Sequence, residues 1–187
     1  MLKVPEVGRV KTRLGREIGM TNAAWWFRHQ TTALLRRLSD PRWQITLAVS
    51  PDQKGMQSRQ YPAHFPRIPQ GSGNLGGRME RILQHMPVGP VCIIGGDVPG
   101  IQPSHIEAAF RSLGQHEAVF GPAYDGGFWL VGLKRISRPP PTLFQNVRWS
   151  TKHALSDSIA SIPDMRIALT DHLQDVDTKA DLISLSR

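Results

Sequence analysis

Short apolar runs bounded by turn-forming residues recur along the chain and predict β-strands. The clearest is 91–94 (Val-Cys-Ile-Ile), where two glycines stop four apolar residues. This pattern is typical of a buried strand that ends in a tight turn. The same criteria predict further strands at 44–49, 118–122, 128–133 and 165–169.

The longer segments between these runs carry apolar residues every three or four positions, which is the spacing of one helix face. The longest spans 21–38; Thr21 is its candidate N-cap and Asp40-Pro41 ends it. Because strands alternate with helices, we predict one α/β domain over 1–187, whose mostly parallel sheet has helices on both faces. Further helices are predicted to start near Asn74, Ser104 and Ser150 and at the capping-box sequence 178–181.

The composition indicates a globular protein, because 40% of the residues are hydrophobic and 20% are charged. The sequence has no apolar run near the roughly 18 residues that span a bilayer, and it starts without the apolar segment of a secretory signal. Its single cysteine, Cys92, excludes an internal disulfide. These features favour a cytoplasmic location without a membrane span.

The charge balance favours anionic partners. The 23 Lys and Arg residues outnumber the 15 Asp and Glu residues and give a formal net charge of +8, which suits nucleotides and phosphorylated metabolites. The basic residues are scattered, and they do not alternate with aromatic residues in the manner of single-strand-binding surfaces. We therefore do not expect a nucleic-acid partner, and the oligomeric state is not predicted.

Three acidic turns are candidates for a metal site. Asp97 directly follows the strand at 91–94, so its carboxylate is expected at the carboxyl edge of a sheet, where open α/β folds bind ligands. Asp125 lies in the second turn, and Asp175 and Asp177 lie in the third. Carboxylates and substrate phosphates together suit Mg²⁺. The alternatives are that Asp97 only supports its turn or caps a helix, and that an acid of the third turn only favours a helix N-terminus.

Two glycine-containing segments are candidates for ligand contact. In 8–14, Gly8 permits close backbone approach while Lys11 and Arg13 can donate to phosphate oxygens, although the P-loop and Rossmann spacings are missing. In 124–129, Asp125 precedes two glycines that would let a sugar or base approach the backbone. A solvated basic loop and an ordinary Asp-Gly hairpin are the respective alternatives. The histidines show no zinc spacing and no serine-hydrolase elbow is present.

Six segments that together span nearly the whole chain form a specific set. They are 3–14, 70–76 with Arg78 and Met79, 96–99, 121–128, 149–151 and 175–178. Together they resemble, in the expected order, the DUF2064 proteins, which are also called radical-SAM/selenodomain-associated transferase 1 or arsenosugar-biosynthesis-type glycosyltransferases. The resemblance implies a GT-A, nucleotide-diphospho-sugar transferase fold with a mixed, mostly parallel sheet.

The resemblance also assigns roles to residues. In that superfamily an aspartate after a central strand holds a divalent cation; Asp97 matches this aspartate, and Asp177 resembles the second metal acid of related sugar-nucleotide synthases. Two positions depart from the family. Only Met1-Leu2 precedes Lys3 where an apolar strand is usual, so the first strand is expected to be missing, through a misplaced start or a degenerate copy. Asn74 stands where the family usually has Asp.

We therefore predict a metal-dependent glycosyltransferase that uses a nucleotide-sugar donor and a small-molecule acceptor. Mg²⁺ or Mn²⁺ on Asp97 and Asp177, with Asp175 nearby, would bridge the diphosphate, and Lys11 and Arg13 would neutralise the same oxygens. Asp125 would orient or deprotonate the acceptor hydroxyl. The alternatives are a nucleotidyltransferase that joins an NTP to a small phosphorylated metabolite, and a truncated non-catalytic homologue. The predicted nucleotide and phosphate contacts are Gly8, Lys11, Arg13, Asn74, Gly126 and Gly127.

Overall fold

Strands and helices alternate through residues 1–185, the part of the chain that the computed structural model describes. The strands are β1 (Leu2–Lys3), β2 (Leu47–Ser50), β3 (Arg67–Pro69), β4 (Val91–Ile94), β5 (Ala118–Pro122), β6 (Phe128–Leu133) and β7 (Ile167–Leu169). The helices are α1 (Thr12–Ile18), α2 (Met20–Leu38), α3 (Asp52–Gln57), α4 (Leu75–His85), α5 (Pro103–Ser112), α6 (Ala154–Ala160) and α7 (Lys179–Ser184).

The chain divides into two compact units, each built from separate stretches of sequence. Unit 1 contains Met1–Pro69, the short segment Gly95–Ile101, and the chain from Gln174 onwards. Unit 2 contains Gln70–Ile94 and Gln102–Leu173. That 1–187 acts as a single transferase domain therefore stays a prediction.

Unit 1 is built on a parallel sheet in the order β1-β2-β3. The first strand, which the sequence analysis expected to be missing, is present as two residues, and Leu2 pairs with Val49 of β2. The hydroxyl of Tyr61 donates to the Lys3 carbonyl (2.5 Å) and extends the anchoring of this strand. The short strand is stable there because Leu2 is buried against Leu35, Leu47, Val49 and Tyr61.

Helix α2 confirms the predicted long helix but begins one residue earlier than expected. Thr21 is not its N-cap; Gly19 holds that position with a φ of 92°, a backbone conformation that suits glycine. The buried residues of α2 lie on one face of the helix, and that face packs against the rest of unit 1. These residues are Ala23, Ala24, Phe27, Thr31, Leu34, Leu35 and Leu38. Among residues 1–185, no helix combines the length and apolar character that crossing a membrane requires.

Unit 2 contains a mixed sheet in the order β4-β6-β5-β7. Strand β6 runs antiparallel to β4 and β5, whereas β5 and β7 are parallel. With the two parallel pairs of unit 1, three strand pairs of residues 1–185 are parallel and two are antiparallel, and they form two sheets where the sequence predicted one. The β5–β6 hairpin encloses the 123–127 turn, so the hairpin interpretation of that turn is confirmed. The hairpin therefore positions Asp125, Gly126 and Gly127.

Two predicted helix starts in unit 2 need correction. The N-cap of helix α5 is Gln102, not Ser104; the Gln102 backbone N–H donates to His105 Nδ1 at 3.1 Å, and Pro103 is the first helical residue. Helix α6 begins at Ala154, because Ser150 has a φ of 61° and cannot continue a right-handed helix. Residues 151–153 therefore lie between Ser150 and the first residue of the helix.

Candidate functional site

Asp97 lies in the turn after β4, within the segment Gly95–Ile101 of unit 1. The next residue, Val98, and the segment's last residue, Ile101, are buried, so apolar packing fixes the turn around a side chain that stays one-third exposed. The Asp97 carbonyl also accepts the Val176 N–H at 3.3 Å. That backbone hydrogen bond ties the Asp97 turn to the Asp175–Asp177 segment.

Asp175 and Asp177 flank Val176, which is fully buried. Val176 packs in a cluster with Leu14 and Ala23, and partly buried neighbours, including Leu182, cover that cluster. The Asp177 N–H and the Thr178 N–H both donate to Asp181 Oδ2, at 3.0 and 2.8 Å, and the predicted capping box at α7 is present in both directions. Core packing and helix capping together hold the two acids at fixed positions.

The three carboxylates of Asp97, Asp175 and Asp177 converge. One oxygen from each lies within 4.8 Å of the others, and all three residues are partly exposed. This gathering of hard oxygen ligands with access to solvent is the donor set that Mg²⁺ and Mn²⁺ prefer. The metal hypothesis made from the sequence is thus compatible with where the described residues lie.

Lys11 contacts two members of this acidic cluster, Asp97 and Asp177. Its Nζ lies 2.6 Å from Asp97 Oδ2 and 2.7 Å from Asp177 Oδ1, and its side chain is only 7% exposed. Arg13 approaches from the solvent side: its guanidinium lies 3.2 Å from Asp177 Oδ2 and its side chain is 70% exposed. Both predicted phosphate-binding cations therefore contact the predicted metal ligands directly.

The protonated form of Lys11 is stabilised by these contacts. Burial disfavours the charged ammonium and on its own lowers the pKa of Lys11, but Asp97 and Asp177 outweigh it and raise the pKa above its ordinary value. Lys11 is thus a cation at neutral pH. Its ammonium shows that a positive charge is accommodated between these two carboxylates.

The backbone of Lys11 is in an unusual conformation. Lys11 is the N-cap of α1 with φ 45° and ψ 47°, a left-handed geometry that costs a non-glycine residue about 1–3 kcal/mol. Buried Val10 and Leu14 lie on either side and hold this turn in the core. The strain at Lys11 is therefore maintained by packing, and the result is a lysine directed into the acidic cluster.

We expect Val176→Ala to weaken the fold and to loosen the two neighbouring acids. Removing two buried methyl groups should cost about 1–3 kcal/mol in the free energy of unfolding, because Val176 is fully buried in its cluster. Chemical denaturation measures the loss. Val88→Ala is a matched control because Val88 is highly exposed; an equal loss in both variants would contradict the anchoring role of Val176.

Asp125, Gly126 and Gly127 belong to unit 2, in the turn between β5 and β6. The Gly127 N–H donates to Asp125 Oδ1 at 2.8 Å, and Asp125 is exposed. The Leu155 N–H donates to the Gly126 carbonyl at 3.0 Å, so the turn is joined to the start of α6. These contacts give the turn a structural role, and its roles toward an acceptor or a nucleotide stay predictions.

Asn74 is the N-cap of α4, as the sequence predicted. Its side-chain Oδ1 accepts the Gly77 N–H at 2.9 Å. An Asp at this position would use the same acceptor atom, so Asn keeps the cap and loses only the charge. Gly8, the remaining predicted contact, is exposed in unit 1. Ligand contacts of Asn74 and Gly8 remain predictions.

The family model described as "Uncharacterized protein conserved in bacteria (DUF2064)" matches residues 33–151, more than half of the chain. The chain belongs to the DUF2064 family. No curated protein matches this DUF2064 chain.

Solved structures establish the fold of this DUF2064 protein. A protein from Desulfovibrio desulfuricans G20, proposed to be a nucleotide-diphospho-sugar transferase, superposes with a TM-score of 0.89 at 27% identity, over 100% of this chain and 84% of that chain. Two further structures share the fold at lower identity. They are 4-diphosphocytidyl-2C-methyl-D-erythritol synthase from Anaerococcus prevotii DSM 20548 (TM-score 0.59, 11% identity, 86% of each chain) and a homologue of Mycobacterium tuberculosis rv0371c from Mycobacterium sp. strain JC1 (0.55, 12%, 85% and 80%).

The DUF2064 chain thus has the nucleotide-diphospho-sugar transferase fold. Sequence reasoning missed two features of its candidate site. The first is the buried Val176, which holds Asp175 and Asp177 in place. Its signal in the sequence is the alternation of acidic and apolar residues at 175–177, which is typical of an extended segment with one buried face. The direct contact of Lys11 with Asp97 had no local signal, because it joins residues far apart in the chain.

Proposed function

We propose that this DUF2064 protein is a metal-dependent glycosyltransferase that uses a nucleotide-activated sugar. The observation that carries the proposal is the convergence of three carboxylates, two of which contact the Lys11 ammonium, in a chain with the nucleotide-diphospho-sugar transferase fold. Such a group of oxygen ligands beside two cations suits a substrate that carries both phosphates and a bound metal. The transferase fold supports the same reaction class.

The residues that would hold the metal are Asp97, Asp175 and Asp177. Their oxygens suit Mg²⁺ or Mn²⁺ by donor type and by mutual distance, and the Lys11 ammonium shows that a cation fits among them. When bound, the ion would neutralise charge on the diphosphate as the sugar is transferred. Val176 and the α7 capping box would keep the acids in place.

Lys11 and Arg13 would bind the phosphate oxygens of the donor. Both already lie at the acidic cluster, and charge-assisted hydrogen bonds from such cations are the stronger kind. The exposed Arg13 guanidinium can move toward an incoming diphosphate without breaking core packing. Asp125, in unit 2, is proposed to orient or deprotonate the acceptor hydroxyl, and Asn74, Gly8, Gly126 and Gly127 are proposed donor contacts.

A thermal-shift screen tests the proposal. We expect Mn²⁺ with one class of nucleotide sugar to raise the melting temperature, since a ligand at 100 times its Kd stabilises by about 2.7 kcal/mol, or roughly 5–11 °C for a domain of this size. When the protein is incubated with that nucleotide sugar, it should then slowly release the nucleoside diphosphate, and only in the presence of Mn²⁺. A cooperative melt that no nucleotide sugar moves would contradict the proposal.

The second candidate is nucleotidyl transfer from an NTP to a small phosphorylated metabolite. The observation that favours it is that two cations, Lys11 and Arg13, converge on Asp177, since a triphosphate brings more charge to neutralise than a nucleotide sugar. Pyrophosphate release distinguishes the two reactions. Incubation with each NTP and a panel of phosphorylated acids should release pyrophosphate only if this second candidate is correct.

A further inference from the structure

We infer that Lys11 is an internal counter-ion of the candidate metal site, which a divalent cation must displace from Asp97 and Asp177 when it binds. The inference rests on the proposed function, because it concerns the same site. It adds that the metal and Lys11 compete for the same carboxylate oxygens. Lys11 therefore sets how tightly the metal is held.

The distances make this competition direct. Lys11 Nζ lies 2.6 Å from an oxygen of Asp97 and 2.7 Å from an oxygen of Asp177, and both residues belong to the carboxylate cluster. An oxygen that accepts a hydrogen bond from an ammonium at this distance has a lone pair committed to it. Because a metal ion and an ammonium on the same oxygen repel each other, a metal ligated by that oxygen has to replace the ammonium.

The exposure of the groups permits the exchange. The Lys11 side chain is almost completely buried, whereas the side chains of Asp97 and Asp177 remain 34% and 38% exposed. An ion from solvent can thus reach the carboxylates without first opening the core. Since Val10 and Leu14 anchor the backbone on both sides of Lys11, only its flexible side chain has to move.

The balance of charge determines whether Lys11 raises or lowers the affinity for the metal. The three carboxylates carry three negative charges, and Lys11 and the exposed Arg13 each bring one positive charge to them, so the Lys11 ammonium weakens the attraction for any further cation. Carboxylates have about four lone-pair sites each, so Lys11 lowers metal affinity without abolishing it. A doubly charged ion can therefore still displace the ammonium.

Displacement would also couple metal and phosphate binding. The ammonium released from Asp97 and Asp177 stays protonated and needs a new anionic partner, which the diphosphate of the donor can supply. Metal and diphosphate would then each raise the affinity for the other by the same factor, since such coupling is reciprocal. Before the metal binds, the ion pairs with Asp97 and Asp177 keep the Lys11 side chain ordered.

The first test compares Mn²⁺ affinity, by titration calorimetry without nucleotide, in the wild type, Lys11→Met and Arg9→Met. Lys11→Met should bind Mn²⁺ about tenfold more tightly, which is the order of one charge-assisted contact. Arg9→Met removes the same charge from the same loop, but Arg9 contacts Glu6 and not the cluster, so its affinity should stay within about twofold of the wild type.

The outcomes separate this inference from the proposed function. Mn²⁺ binding to the wild type with equal or weaker binding to Lys11→Met would overturn the inference and leave the metal site standing. No Mn²⁺ binding to either protein would overturn both. These readings hold whether or not any transferase activity is detected, because the assay uses the metal alone.

A second measurement covers the case in which Lys11→Met does not fold. Limited acetylation of the wild type followed by mass spectrometry reports how accessible each lysine is. Saturating Mg²⁺ should increase the labelling of Lys11 several-fold and leave Lys54, whose ammonium contacts Glu6 on the surface, unchanged. If Mg²⁺ leaves the labelling of Lys11 unchanged or reduces it, the inference that the metal displaces Lys11 is overturned.

Discussion

Replacing Gly126 by alanine is expected to cost at least about 3 kcal/mol in the free energy of unfolding, a fall in melting temperature of roughly 6–12 °C. A Cβ at this position would lie 2.2 Å from the Lys152 carbonyl oxygen and 2.5 Å from the Lys152 Cα. Both atoms are backbone, so no side chain can move aside. The φ of +85° adds the strain of a left-handed conformation for a residue with a Cβ.

Gly73→Ala is the matched control for the Gly126 variant. Gly73 lies in the same unit and has a φ of +100°, but a Cβ there would meet no heavy atom within 4 Å. It should lose only about 1 kcal/mol, from the backbone conformation alone. Thermal melts of both variants measure the difference. Equal losses would mean that the close approach of Gly126 to Lys152 does not contribute.

Three strands of unit 2 were predicted from the sequence with the bounds that the structure has. They are β4, β5 and β6, at Val91–Ile94, Ala118–Pro122 and Phe128–Leu133. Each is a short, predominantly apolar run that begins or ends beside glycine, proline or a charged residue, which is the signal that such strands leave in a sequence. Strands β5 and β6 are buried along almost their whole length and β4 is partly buried, so local composition was enough to predict them.

Short elements held by distant contacts escaped prediction. Helices α1 and α3 and strand β3 have seven, six and three residues, too few for a periodic pattern to emerge. Strand β1 has only two residues, and it exists because Leu2 is buried beside Val49. Tertiary packing, which a single sequence does not display, produces these elements.

The candidate site was predicted in part. Asp97 and Asp177, with Asp175 nearby, were predicted as metal ligands from their acidic turns and from the family resemblance, and the three carboxylates do converge. The partner of Lys11 was not predicted as a carboxylate; the sequence analysis directed Lys11 to substrate phosphates. Its contact with Asp177 joins residues 166 positions apart, and nothing local encodes such a pair.

Asp97→Asn is expected to weaken Mn²⁺ binding at least about 100-fold, since even the partners of metal ligands contribute 10- to 100-fold. The substitution keeps the shape of the side chain but removes one of the three clustered charges. Titration calorimetry on the metal alone measures this loss. Any Mn²⁺-dependent release of nucleoside diphosphate should fall at least in proportion.

Asp125→Asn controls for the loss of one carboxylate. Asp125 is not a member of the converging cluster, so Mn²⁺ affinity should stay within about twofold of the wild type. Asp97→Asn and Lys11→Met should move Mn²⁺ affinity in opposite directions, although each breaks the same 2.6 Å ion pair. A purely structural ion pair predicts another pattern: both variants would be less stable, and neither would change metal affinity. The sign of the two affinity changes therefore decides between a metal site and a salt bridge.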